Sequence, residues 1–207
     1  GSSGQVLSTN GSGTLSWATS STSVDGLSDA LIEDNSLYLG NDPSSTTDDA
    51  QYNVAVGTTA LDAITTGDKN VAVGQDALTS NTTGTQNTAS GWRSLYLNTT
   101  GNYNTAYGTQ SLYANTTGVN NTASGYESMY SNTTGTKNTA SGNESLNANT
   151  TGDFNTATGY QALYANTTGT RNIAIGISAL DAADTENDNL AIGYDALGGA
   201  IAGGEYN

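Results

Sequence analysis

Apolar residues are sparse along this chain and never form a long run. They come in short alternating triplets such as Val54-Ala55-Val56, Val71-Ala72-Val73 and Ile173-Ala174-Ile175, each followed by Gly and, four residues after that Gly, by Leu. Alternation with period two and β-branched side chains predict short strands. The triplets sit in the motif Asn-x-Ala-x-Gly, which begins at Asn53, Asn70, Asn87, Asn104, Asn121, Asn138, Asn155, Asn172 and Asn189. The spacing from each Asn to the next is identical throughout, with no insertion. The full unit reads N-x-A-x-G-x-x-[AS]-[LM]-x-x-N-T-T-G-x-x, and a fixed period of this kind marks a repeat architecture. Asn53, Ala55, Gly57 and Leu61 open the defining columns, and Asn172, Ala174, Gly176 and Leu180 recur in them near the other end.

No helix fits, because Gly and Asn-Thr-Thr-Gly interrupt every window. One unit therefore predicts one coil: strand, turn, strand, turn. The two Gly columns are expected to take positive φ at the turns, and Asn to enter the left-handed region. Stacking pairs each strand with its copy one coil later, at about 4.8 Å, so nine coils rise about 43 Å. The predicted fold class is an all-β, parallel β-roll or β-solenoid. Gly40 lies one full unit before Gly57 and marks a degenerate entry coil over 36–52. Residues 35–207 are read as the solenoid and 1–34 as a non-repeat connector. Within the connector, 1–7 and 11–17 carry turn-rich short strand signals, and 25–34 is either a short helix or an extended entry segment. A three-sided helix with six-residue sides is the architectural rival, but three such sides overrun this unit by one position.

Composition changes one part of this picture. Leu, Ile, Val and Phe supply 31 of 207 residues, and the formal charge is -15, values usually read as disorder. A thin core of Ala and Leu ladders, spread along one dimension, reconciles them with a fold, because each coil buries its apolar face only against its neighbours. The middle coils are the least apolar, reading Thr88-Ala89-Ser90 and Thr122-Ala123-Ser124. One chain alone is then marginal, and an intertwined or side-by-side homotrimer is the expected remedy. The chain does not start with Met, and the expectation is a segment of a longer polypeptide.

The charge also bounds partners. Four basic residues against 19 acidic ones cannot neutralise a row of phosphates, which excludes nucleic acid as a ligand class. No apolar run is long enough to insert in a membrane as a helix. With no Cys and no His, a catalytic triad or a zinc site is excluded in its usual forms, and no enzyme is expected. Glu127 and Glu144 stack on adjacent coils as a carboxylate pair, set against their reading as solvated rim charges. Asp181, Asp184, Glu186 and Asp188 replace the usual linker with hard oxygen ligands suited to Ca²⁺, set against a solvated acidic turn. No other cofactor is indicated.

Aromatics recur in columns. Trp92, Tyr126, Tyr160 and Tyr194 follow the first Gly, and Tyr96, Tyr113, Tyr130 and Tyr164 follow the Leu column. These rings are candidate glycan contacts, since an aromatic face stacks on sugars. Their alternative role is to cap the core or fill a trimer seam. The Thr82-Thr83 pairs and their copies raise a third class, ice binding, although adjacent strand residues point to opposite sides.

The motifs at Asn53-Val54-Ala55-Val56-Gly57 and Asn172-Ile173-Ala174-Ile175-Gly176 resemble the head repeats of trimeric autotransporter adhesins. The longer unit from Asn155 to Gly169 is more similar to repeats of bacteriophage tail fibres, as is the opening stretch from Gly1 to Trp17. The resemblance implies a left-handed trimeric roll in the virion, built into a tail fibre beside other tail proteins, that holds a host-attachment tip at a distance. The alternative it implies is a glycan-binding module, either receptor-binding or a bacterial surface adhesin head. The coil of this chain is longer than the usual adhesin head coil.

Overall fold

The computed structural model describes residues 5–9, 15–19, 30–33, 35–40, 49–182 and 184–199. Near the N-terminus, β1 (Gln5–Thr9) and β2 (Leu15–Thr19) form an antiparallel pair, with Leu7 opposite Trp17. Next, β3 (Ala30–Glu33) pairs antiparallel with β4 (Ser36–Leu39), Leu31 opposite Tyr38. The segment 25–34 is thus extended over 30–33. Then come nine three-residue strands: β5 (Val54–Val56), β6 (Val71–Val73), β7 (Thr88–Ser90), β8 (Thr105–Tyr107), β9 (Thr122–Ser124), β10 (Thr139–Ser141), β11 (Thr156–Thr158), β12 (Ile173–Ile175) and β13 (Leu190–Ile192). From β4 to β13 every neighbour is parallel and one unit apart, with Ala opposite Ala from Ala55 to Ala191. The chain is a β-solenoid of about nine turns. The entry coil stacks on the first repeat with Tyr38 opposite Ala55, so a buried Tyr closes the Ala ladder at that end.

The second flank of each coil differs from the expected strand. Each coil has one three-residue strand, not two, and no six-residue sides. After the first Gly the backbone instead alternates hands. In the coil that starts at Asn121, Gly125 has φ 139°, Glu127 φ 50° and Met129 φ 51°. The alternation still bonds coil to coil. The Glu127 N–H donates back to the Thr109 carbonyl (3.0 Å), and the Met129 N–H donates forward to the Ser145 carbonyl (3.0 Å). A left-handed Leu or Met costs roughly 1–2 kcal/mol. Burying that side chain returns about 1.5–3 kcal/mol. The Leu column from Leu61 to Leu180 is fully buried, so burial outweighs the strain and holds the column to large apolar residues.

A third left-handed site precedes each motif Asn, at Gln86 (φ 57°), Asn120 (φ 58°) and Lys137 (φ 57°) among others. The side chains of Gln86, Asn120 and Lys137 are exposed and unrelated in type, so no burial offsets the strain there. Asn enters this region more easily than Gln. Gln86→Asn should therefore raise the unfolding free energy by about half a kcal/mol, read as a higher urea midpoint at unchanged slope.

The interior holds more than Ala and Leu. Two Asn columns are also fully buried. In the first, Asn121 Nδ2 donates to the Gly135 carbonyl of its own coil (2.8 Å), while its Oδ1 accepts the backbone N–H of Asn138 in the next (3.0 Å). One side chain closes its own ring and sets the next coil's register. In the second column, Asn132 Nδ2 donates to Asn115 Oδ1 (2.8 Å) and to the Gly135 carbonyl (3.1 Å). The Gly after Thr-Thr is therefore not a positive-φ turn residue as expected. It is required because the next coil lies too close for a Cβ: one built on Gly118 would meet the Gly135 carbonyl oxygen at 2.6 Å. The first Gly column does take positive φ, 122–142° from Gly57 to Gly193.

Candidate functional site

The residues before and after each core Ala face outward, because successive strand residues alternate sides. Val54, Val71, Thr88, Thr105, Thr122, Thr139, Thr156, Ile173 and Leu190 form one column, and Val56, Val73, Ser90, Tyr107, Ser124, Ser141, Thr158, Ile175 and Ile192 the other. None is charged. The face is apolar at both ends and hydroxyl-bearing in the middle. The Thr82 column lies elsewhere and spends its hydroxyls on the next coil, as in Thr82 Oγ1 to the Thr99 carbonyl (3.1 Å).

The aromatic columns lie on the flank with alternating backbone hands. Tyr96, Tyr113 and Tyr130 stack on one another, with ring centroids 5.2 and 4.9 Å apart and planes within 10°. Offset stacking suits rings whose coils repeat at this spacing. It occupies both faces of Tyr113 and one face each of Tyr96 and Tyr130, which packs these three rings between coils. Arg93 lies 4.7 Å from the Trp92 ring centroid and 5.3 Å from that of Tyr96, which joins the two columns through cation–π contacts. Asp76, one coil earlier, holds Arg93 through Nε at 3.1 Å and accepts from the Thr59 hydroxyl.

The hydrogen bond from Thr59, and then Arg93, hold the Asp76 carboxyl below its ordinary value. The charged form is favoured in the fold, so its stabilisation is present above the unfolded carboxylate range. It is lost as pH falls through the depressed value. Asp76→Asn should lower the melting temperature at pH 7, and the gap to the unaltered protein should close on acidification below about pH 5. A gap that stays constant with pH would contradict this role.

Trp92, Tyr126, Tyr160, Tyr164 and Tyr194 remain exposed. The Tyr126 hydroxyl is engaged by Glu127, which raises its pKa. Beside it run Glu127, Glu144 and Gln161, and Gln161 Nε2 donates to Glu144 Oε2 at 2.7 Å. Glu144 is therefore tied to a neighbouring amide, not to Glu127. No protein-family model, curated protein or solved structure matches the chain.

In the acidic linker, the side chains of the Ca²⁺ candidate set go separate ways. Thr167 donates its hydroxyl to Asp184, and Glu186 Oε2 accepts the N–H groups of Asp184 and Thr185, both at 3.0 Å. Asp188 pairs with Arg171, which depresses its pKa. Asp181 accepts on its backbone carbonyl from the Ala165 N–H. Among the described residues no three acidic groups converge on one point. The Leu column lies in the core as expected, whereas the burial of the two Asn columns and the left-handed backbone of the Leu column are not visible in the sequence.

Proposed function

We propose that this chain is a length-setting structural rod, the shaft segment of a bacteriophage tail fibre that holds a host-attachment tip away from the particle, and that it works without catalysis. One observation carries the reading: each coil is registered on the next by buried Asn and Gly columns that leave no room for an insertion. Such a stack is stiff along its axis and adds a fixed rise per unit. The tail-fibre assignment rests on the resemblance of the unit from Asn155 to Gly169. The uncharged outward sheet face supports assembly with further copies. On a protein of net charge -15, it is the face where copies approach with least repulsion, and its apolar ends gain from burial. A homotrimer is the arrangement the family resemblance favours.

Light scattering and small-angle scattering test both parts. The expected mass is that of three chains, not the 21.0 kDa of one. Inserting three whole units should lengthen the particle by about 14 Å at unchanged cross-section. A mass of one chain would remove the trimer, and an unchanged length would remove the rod.

A further inference from the structure

Trp92, Tyr126, Tyr160 and Tyr194 follow the first Gly in alternate coils, each two repeat units from the last. Thr109, Asn143 and Ile177 fill the coils between. Because Ala89, Ala106 and Ala123 stack strand on strand, two coils rise about 9.6 Å. The four rings are 41, 45, 45 and 81% exposed. Unlike Tyr96, Tyr113 and Tyr130, none stacks on another ring within the described residues. The polar column beside the rings carries Arg93, Gln110, Glu127, Glu144 and Gln161; Arg93 lies over the Trp92 ring, 4.7 Å from its centroid, and the amides and carboxylates suit hydroxyl groups.

A line of aromatic platforms at this interval, edged by carboxylates and amides, has a specific chemical complement. In an extended β-1,4-linked polysaccharide successive sugars are flipped, so the same sugar face recurs once per disaccharide. That repeat is close to the rise of two coils. Chains with α-1,4 links curl and lose the register. The neighbouring acids and the net charge of -15 repel an anionic polymer, which leaves a neutral one. We propose that this flank binds a neutral β-1,4-linked chain of glucose or N-acetylglucosamine laid along the rod axis. Trp92, Tyr126 and Tyr160 stack on alternate sugars, and the adjacent polar column bonds their hydroxyls. This goes beyond the spacer role and does not depend on it.

The full chain is titrated calorimetrically with the hexamers of β-1,4-linked glucose and of β-1,4-linked N-acetylglucosamine, and with the α-1,4-linked glucose hexamer. One or both β-1,4 hexamers should bind, and their disaccharides should bind at least tenfold more weakly. Tyr126→Ala combined with Tyr160→Ala should abolish binding. Tyr52→Ala with Tyr103→Ala, exposed rings in a different column, should leave it unchanged. Tyr126→Asn with Asn143→Tyr keeps the number of rings but moves one by a single coil, and it should lower affinity at least tenfold. In the unaltered chain, ring-proton shifts should change for Tyr126 and Tyr160 and not for Tyr52. Failure of both β-1,4 hexamers to bind, equal binding of the α-1,4 hexamer, or full affinity in the moved-ring variant would overturn the proposal.

Discussion

Gly118→Ala should destabilise the solenoid by about 4 kcal/mol or more, the range reached only when a core feature is broken. The cost comes from space alone, since Gly118 does not have a positive φ. A Cβ there would lie 2.6 Å from the Gly135 carbonyl oxygen and 3.0 Å from Asn132 Nδ2, and it would press on Asn115 Oδ1. None of these can retreat freely. The Gly135 carbonyl accepts from both Asn121 and Asn132, and Asn115 Oδ1 accepts from Asn132. Relief of the clash must therefore separate the two coils and break both Asn columns at one level. Because stability in a stacked array is a sum of neighbour terms, the rod should melt as two units divided near this point. The check is chemical denaturation followed by circular dichroism, where one transition becomes two.

Asn121→Ala is the second large effect, at about 2–4 kcal/mol. Removing the side chain leaves the buried Asn138 N–H without its acceptor, which costs about 1–3 kcal/mol. The bond to the Gly135 carbonyl goes as well, at about 1 kcal/mol. Asn121→Asp keeps the shape and the acceptor but turns a carboxylate toward that carbonyl, so it should not rescue. By contrast, Thr122→Val, one residue later on the exposed face, should stay within about 0.5 kcal/mol. Equilibrium unfolding of the three variants checks the ordering. Equal loss in Asn121→Ala and Thr122→Val would refute a structural role for the Asn column.

Much of this fold was legible in the sequence because its period is unbroken. The motif at Asn53 and its copies yields the coil length, the parallel Ala-on-Ala register and the entry coil at Gly40. The sequence does not show conformation at single residues. Leu61 and its column read as strand fillers, since Leu is rarely left-handed and only burial reveals why it is tolerated here. The Gly67 column read as a turn residue because Gly serves two purposes, positive φ and close approach, and a single sequence does not separate them. The Asn columns read as turn residues for a related reason. Asn is buried only when each of its groups finds a partner, and that partnership exists only once coils are stacked. For the aromatic flank, the columns were visible, but which rings spend their faces on each other was not. The stack of Tyr96, Tyr113 and Tyr130 occupies three consecutive coils, whereas the exposed rings alternate.

The central claim is that consecutive repeat units stack directly on one another. The chain contains no Cys, so spin labels on introduced cysteines report without background. Thr88 and Ile173 lie on the same outward column, five units apart. Electron–electron distance measurement on labelled chains diluted into unlabelled ones should give a narrow distribution centred near about 24 Å, and inserting one unit between the sites should move it out by about 4.8 Å. A broad distribution, or a centre that does not move with the added unit, would contradict the stacked solenoid.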